Sequence, residues 1–211
     1  MPQFTCAQCG GEFSLPQTTL DRYPGWTPKQ CRKCKNGAGT SPSRNTRRSS
    51  VEEELPLAAV LERYHAGPQD GVFTDGSAHP NPGPGGWGAV YVVGGEVVDR
   101  EYGSERDTTN NRMELTALIN GYDLVPVGTP ATVYSDSNLC VRTINEWAKG
   151  WAANGWRRKG GPIANLDLVK ILYAKALQRP ELTLRWIRAH DGSRWNEYAD
   201  ALSTAYRRTV L

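Results

Sequence analysis

No apolar run in this chain approaches the length of a bilayer crossing, which excludes a membrane-spanning helix. The start, MPQFTCAQCGG, lacks the charged-then-apolar layout of a secretory signal, and the expectation is a cytoplasmic protein that makes no membrane contact. Thiols stay reduced there, so the five cysteines are expected as ligands or core residues rather than as disulfides. Internal repeats are absent. Apolar periodicity is missing from Lys35 to about Glu54, where KNGAGTSPSRNTRRSSVEEE is rich in Gly, Ser, Pro and charge and reads as a flexible linker. Histidine is scarce: of the three, His65 reads as a surface residue and His79 carries no supporting pattern.

What is present suits one domain of ordinary size plus something small. The chain has 211 residues, 38% hydrophobic and 22% charged, enough for a sizeable core. Its net charge of +3 hides an asymmetry, because residues 1–50 hold eight basic side chains against only Glu12 and Asp21. A basic arm on a mildly acidic body suggests a polyanionic partner, although such arms also serve merely as solubilising segments.

Within that arm, Cys6-Ala-Gln-Cys9 and Cys31-Arg-Lys-Cys34 form two CxxC pairs separated by 21 residues, close to the spacing of a four-thiolate zinc ribbon. Gly10-Gly11 and Asn36-Gly37 follow the pairs, where tight turns present amides to the sulfurs. So short a segment cannot build a core, and one Zn²⁺ would supply its folding energy. The alternative is a disulfide pair or chance cysteines. Cys140, alone in LCVRTI, reads as a small buried hydrophobe. The expected division is a ribbon over 1–36, a linker with a short connector helix over 37–69, and a main domain over 70–211.

Leu55–Tyr64 has helical apolar spacing and reads as that connector, ended by Gly67-Pro68. Three β-type runs follow, Val72–Asp75, Trp87–Val93 and Val97–Tyr102, with Gly94-Gly95 marking a hairpin. Asn111–Leu124 is expected as a helix, Thr132–Tyr134 as a buried strand, and Leu139–Trp147 and Leu166–Leu177 as helices. Strand Leu182–Ile187 and a helix from Asn196 to about Arg207 complete the pattern. Hairpins first and helix crossovers afterwards imply an α/β fold, a mixed sheet covered by helices.

Four carboxylates open or close these elements: Asp75 in VFTDGS, Glu114 in NNRMEL, Asp136 in VYSDS and Asp200 in NEYADAL. Singly, each reads as a cap or turn residue. Brought to one point, they would repel unless a divalent cation neutralised them, and oxygen-only ligands select Mg²⁺ or Mn²⁺. Their surroundings, TDGSAHPNPGPGGWGA, TTNNRMEL, YSDS, a Trp-rich basic insert and AHDGSRWNEYADAL, run from about Gly71 to Arg208. In order and spacing this stretch resembles the type 1 ribonucleases H.

The resemblance implies a five-stranded ribonuclease H fold and an endonuclease that cleaves the RNA strand of RNA–DNA hybrids, leaving 5′-phosphate and 3′-hydroxyl ends. Asp75, Glu114, Asp136 and Asp200 would hold two Mg²⁺ or Mn²⁺ ions, Asp75 bridging both. His190, in a loop where the family usually has Gly in place of Ala189, would assist proton transfer and product release. Asn81, Asn110 and Asn111 match groove-contacting amides, which donate and accept at once. Thr109 and Asn165 match a pocket for a DNA-strand phosphate. Asp107 stands where that pocket usually has arginine, with Arg106 one position earlier, and Asn138 and Ala78 replace other usual residues. Trp147, Trp151 and Trp156, with Arg157, Arg158 and Lys159, resemble a basic handle for the DNA strand, although Trp spacing of this kind is commoner in cores. The rival readings are a non-catalytic hybrid-binding module and another nuclease on the same fold, a resolvase or a reverse-transcriptase fragment. The intact carboxylates oppose the first. TTNNRMEL with the Trp-basic insert opposes a resolvase, and no polymerase precedes the domain. A monomer is expected, its ribbon free to engage further nucleic acid or a protein.

Overall fold

The computed structural model describes residues 2–15, 17–21, 27–31, 34 and 55–208. It divides into two compact units, Met1–Glu52 and Glu53–Leu211. The stretch expected to be a linker, and the Asn36-Gly37 turn, lie outside the described residues.

The first unit opens with strands β1 (Gln3–Thr5) and β2 (Glu12–Ser14), paired antiparallel with Phe4 opposite Phe13. Their rings lie 5.9 Å apart. The turn between the strands is closed by the Cys6 amide on the Gly11 carbonyl and the Gly10 amide on the Cys6 carbonyl. A short helix, α1 (Gln17–Asp21), follows.

The second unit begins with α2 (Leu57–Arg63), whose Leu57 and Val60 are buried. Its sheet contains β3 (Gly71–Ala78), β4 (Gly83–Val93), β5 (Glu96–Thr108), β6 (Ala131–Ser135) and β7 (Leu182–Trp186) in the order β5-β4-β3-β6-β7. The meander β3–β4–β5 is antiparallel, whereas β6 runs parallel to both β3 and β7. Helices α3 (Asn110–Asp123), α4 (Asn138–Arg142), α5 (Ala148–Ala153) and α6 (Leu166–Gln178) belong to the crossovers, and α7 (Arg194–Ser203) follows β7. The mixed five-stranded sheet flanked by helices is the architecture expected from the order of elements.

Alternation along β3 divides the core. Val72 faces one cluster with Leu115, Leu118, Tyr122, Val133 and Leu172, while Phe73 faces the other with Val90, Trp195, Tyr198 and Leu202. Helices on both faces explain why β3 is buried without interruption from Gly71 to Gly76. Burying each such Leu, Phe or Val contributes roughly 1.5–3 kcal/mol, which fixes the register that sets Asp75 opposite Gly88.

The strands β3, β4 and β5 run well beyond the expected Val72–Asp75, Trp87–Val93 and Val97–Tyr102, because Gly-rich stretches that read as turns are paired strand: Ser77 opposes Gly86 and Ala78 opposes Gly85. Close approach explains the composition. A Cβ on Gly76 would come within 2.2 Å of the Glu114 amide, and one on Gly88 within 2.3 Å of Leu202 Cβ, so α3 and α7 sit directly on bare backbone. The helix expected over Leu139–Trp147 is also interrupted. Thr143–Trp147 winds as a π-turn, with the Asn145 amide donating to the Leu184 carbonyl at 3.0 Å.

Candidate active site

Asp75 sits within β3 on the face toward α7, and Asp136 follows directly after β6, the parallel neighbour of β3. Glu114 is one turn into α3, whose start is capped by Thr109 accepting from the Arg112 amide. The close contact at Gly76 brings that turn against the strand. Oxygens of Asp75, Glu114 and Asp136 consequently lie within 4.8 Å of one another. Asp200, on α7, stands outside that group, yet its charge acts on both Asp75 and Glu114.

Burial and mutual repulsion decide the electrostatics. Asp75 is 7% exposed, and burial first, then the Asp200 and Asp136 charges, raise its pKa well above the carboxylate range. Burial, followed by Asp75, Asp136 and Asp200, does the same to Glu114, against which the Ser135 hydroxyl works. Asp136 is raised by burial and lowered in part by the Asn196 amide and by His190. At an effective dielectric of about 20, each ionised pair at this spacing costs about 3–4 kcal/mol, comparable with much of a domain's stability. Asp75 Oδ2 and Glu114 Oε2 are buried and have no hydrogen-bond partner among the described residues. Hard oxygens held together and left unsatisfied fit a divalent cation such as Mg²⁺ or Mn²⁺.

The remaining expected site residues fall into two neighbourhoods. His190 is exposed, at φ +49° in the loop before α7. The Asn110 side chain accepts from the Ala78 amide at 2.6 Å, and Asn81 accepts from the Asn110 amide at 3.3 Å, so two of the three amides brace each other beside β3. Asn111, Trp147, Trp151 and Asn165 line one cleft of about 90 Å³ together with Arg158. Thr109 and Asn165 open α3 and α6, and the paired bonds of Arg112 to Asp167, 3.0 and 3.2 Å, tie those ends together. The tryptophans serve the core as well: Trp151 and Trp156 pack against the first cluster, while Arg142 lies 4.8 Å over Trp147. Cys140 is buried, as its sequence context suggests, and burial pushes its thiol up to about 12.

Small polar residues complete the site without having drawn notice in the sequence. Asn196 donates to Asp136 Oδ2 at 3.3 Å, and the Ser135 hydroxyl favours the charged form of Glu114. Both lie inside the quoted motifs, but each touches an acid from a different motif, so nothing local in the sequence points to them.

In the first unit the sulfurs of Cys6, Cys9, Cys31 and Cys34 lie within 4.8 Å of one another. Cys9 and Cys31 are 3.8 Å apart, far beyond the ~2.05 Å of a disulfide. The Cys31 amide donates to Cys6 Sγ at 3.3 Å and lowers the Cys6 thiol to about 6, whereas the Cys9 side chain is the main cause raising Cys34 to about 12. Four thiols at this spacing fit a tetrahedral zinc site. No described helix is long and apolar enough to cross a membrane.

The sequence profile of the RNase H family matches residues 68–207. A ribonuclease H from Methylorubrum extorquens is 44% identical over 140 residues, 66% of this chain and 60% of that protein, so the chain spans less than two thirds of that relative. A ribonuclease H from Hahella chejuensis is 42% identical over 133 residues, 63% of this chain and 88% of its own length. Among solved structures, LC9-RNase H1, a type 1 RNase H with the type 2 active-site motif, superposes with a TM-score of 0.52 at 32% identity, covering 67% of this chain and 74% of that one. The N-terminal RNase H domain of a Mycobacterium tuberculosis protein gives 0.50 at 29% identity, covering 63% of this chain and 88% of that one.

Proposed function

Because the chain belongs to the RNase H family, we propose that it is a ribonuclease H, an endonuclease that hydrolyses the RNA strand of RNA–DNA hybrids and leaves 5′-phosphate and 3′-hydroxyl ends. The observation that carries this reading is the meeting of Asp75, Glu114 and Asp136 around two unsatisfied buried oxygens. These three residues, with Asp200 from α7, would hold two Mg²⁺ or Mn²⁺ ions. When bound, such a pair supplies an activated water, a stabilised leaving oxygen and neutralised phosphate charge.

The protein's own residues do the rest. Asp75, the most deeply buried of the clustered acids, would be shared by the two ions. His190, exposed on its loop, moves a proton and lets product leave. Asn81, Asn110 and Asn111 feel the 2′-hydroxyl that distinguishes the RNA strand. Thr109, Asn165 and the aromatic faces of Trp147 and Trp151 hold the DNA strand, Arg157, Arg158 and Lys159 adding phosphate contacts. Asp107, in place of arginine, alters that hold.

The four cysteines hold one Zn²⁺ in a ribbon over residues 1–36, joined by a linker and connector helix over 37–69 to a catalytic domain over 70–211. The ribbon's basic surplus gives the chain a second foothold on nucleic acid, a protein partner being the competing reading. The reading is completed by a cytoplasmic setting, which keeps the thiols reduced, and by a monomeric chain.

The decisive assay incubates labelled hybrid, double-stranded RNA and double-stranded DNA with the protein and Mg²⁺. The RNA strand of the hybrid alone should be cut. Equal cutting of double-stranded DNA, or none of the hybrid, would overturn the proposal.

A further inference from the structure

Asp136 is the one clustered acid that stands outside regular structure, in the first position after β6. Its backbone is pinned all the same: the Trp186 indole donates to its carbonyl at 2.9 Å and the Asn138 amide at 3.0 Å. Those bonds hold the main chain but leave the side-chain torsions free to turn the carboxylate.

What meets the carboxylate is Asn196, 2% exposed in the first turn of α7, whose side-chain nitrogen donates to Asp136 Oδ2 at 3.3 Å. The platform under that amide is rigid. Trp195 beside it is buried in the second core cluster, and the Glu197 amide closes the helical turn on the Ser193 carbonyl at 2.9 Å. Asp200 lies four residues on, along the same face of α7.

The other end of the amide has no such partner. Asn196 Oδ1 is buried and accepts no hydrogen bond among the described residues. Turning the amide over to satisfy it would set oxygen against Asp136 Oδ2, so the donor end is committed to the carboxylate. Buried amides ordinarily have both ends satisfied, because an orphaned carbonyl costs stability. An apolar side chain would fill the same space without that cost, which speaks against a purely structural asparagine. A cation such as Mg²⁺ keeps several of its waters, and these would bring donors to a buried acceptor beside the acids.

We infer that Asn196 is a positioning residue for the metal cage, holding Asp136 Oδ2 from α7 so that Oδ1 is the oxygen left free for a cation shared with Asp75 and Glu114. A carboxylate tethered at one oxygen has little rotational freedom left to lose when an ion binds, so the tether registers as affinity. Because Asn196 and Asp200 share α7, one helix supplies the fourth acid and orients Asp136. The inference rests on the reading of the acidic cluster as a metal cage.

The test measures Mn²⁺ and Mg²⁺ binding to the full chain by calorimetry, without substrate, alongside thermal melting in the absence of metal. Asn196→Ala should bind Mn²⁺ about tenfold more weakly, the low end of what loss of a ligand-orienting partner costs. Raising Mg²⁺ in proportion should restore most of the turnover while KM for the hybrid stays unchanged, a rescue that a folding defect would not show. A second background keeps the test sound if Asn196→Ala melts lower. Asp136→Ala leaves no carboxylate to hold, so adding Asn196→Ala to it should weaken Mn²⁺ binding by less than about twofold. Water-proton relaxation by Mn²⁺ reads that comparison where affinity is too low for calorimetry. Unchanged affinity in Asn196→Ala, or an equal loss in both backgrounds, would overturn the inference while leaving the cage intact. A wild-type chain that binds neither ion would overturn the cage reading and this inference with it.

Discussion

The thiolate cluster and the carboxylate cluster are built in opposite ways. The four cysteines span residues 6 to 34, and apart from the Phe4–Phe13 pair their unit shows few apolar contacts among the described residues. In that unit the cluster takes the place of a core. Asp75, Glu114 and Asp136 come from β3, α3 and the end of β6, each placed by a sheet with a packed cluster on either face. Here the core builds the cluster, and the fold bears the cost of the repulsion it creates. Metal should therefore decide whether the first unit folds and only whether the second one works.

The sharpest break in that comparison is Asp136→Asn. It removes a charged ligand without removing volume, so turnover should be abolished while hybrid binding and melting persist; retained turnover in Mg²⁺ would sink the metal assignment. His190→Ala should slow the reaction by about 10²–10⁴-fold without ending it, because solvent partly substitutes for a proton carrier. An unchanged rate at neutral pH would count against a catalytic His190. Chelation of zinc comes next: the purified protein should contain about one equivalent, and its removal should unfold the ribbon but leave the main melting transition in place. Zinc-free protein with paired cysteines would reverse the assignment.

The carboxylate side of the comparison has a pH signature. Asp75, Glu114 and Asp136 all have raised pKa values, so between their ordinary and raised ranges the folded state binds more protons than the unfolded state. Stability without divalent cation should then fall as pH rises through that window, the reverse of the usual paired carboxylate. Added Mg²⁺ should raise the melting temperature more at pH 8 than at pH 5.5. An equal rise at both would mean that the acids do not bear the predicted strain. The smallest effect belongs to deletion of residues 1–54, which should weaken hybrid affinity by roughly tenfold and flatten its salt dependence, with the rate at saturating substrate unchanged. Identical affinity across salt would favour a protein partner for the ribbon.

The large features of both regions were legible because each residue advertises its chemistry. Paired CxxC motifs and four acids each set in a longer motif have few cheap alternatives, and the order of hairpins and helices determined the sheet. What escaped notice depends on small residues whose role is set by what approaches them. Gly85 and Gly86 read as turn formers, yet they are strand positions kept bare for β5 and the Ser203 carbonyl at the end of α7. Ser135 and Asn196 look like ordinary polar fill until the acids they act on, Glu114 and Asp136, are located. The π-turn at Thr143–Trp147 has no local marker, since it answers to the Leu184 carbonyl on a strand 39 residues away.

One contact bears on where this protein can be cut. After α2 the chain pairs briefly with the segment ahead of α7: Ala66 bridges Ser193, its carbonyl accepts the Arg194 amide at 2.9 Å, and Gln69 receives the Trp195 indole at 3.3 Å. The guanidinium of Arg208 reaches the Leu55 carbonyl from the other end of the unit. A truncation begun at residue 70 would strip Leu57 and Val60 from the cluster around Trp195 and free Ser193, three residues from His190. Expression fragments meant to isolate the enzyme should begin at Leu55, and a shorter one that loses activity would be reporting on scaffolding rather than on the ribbon.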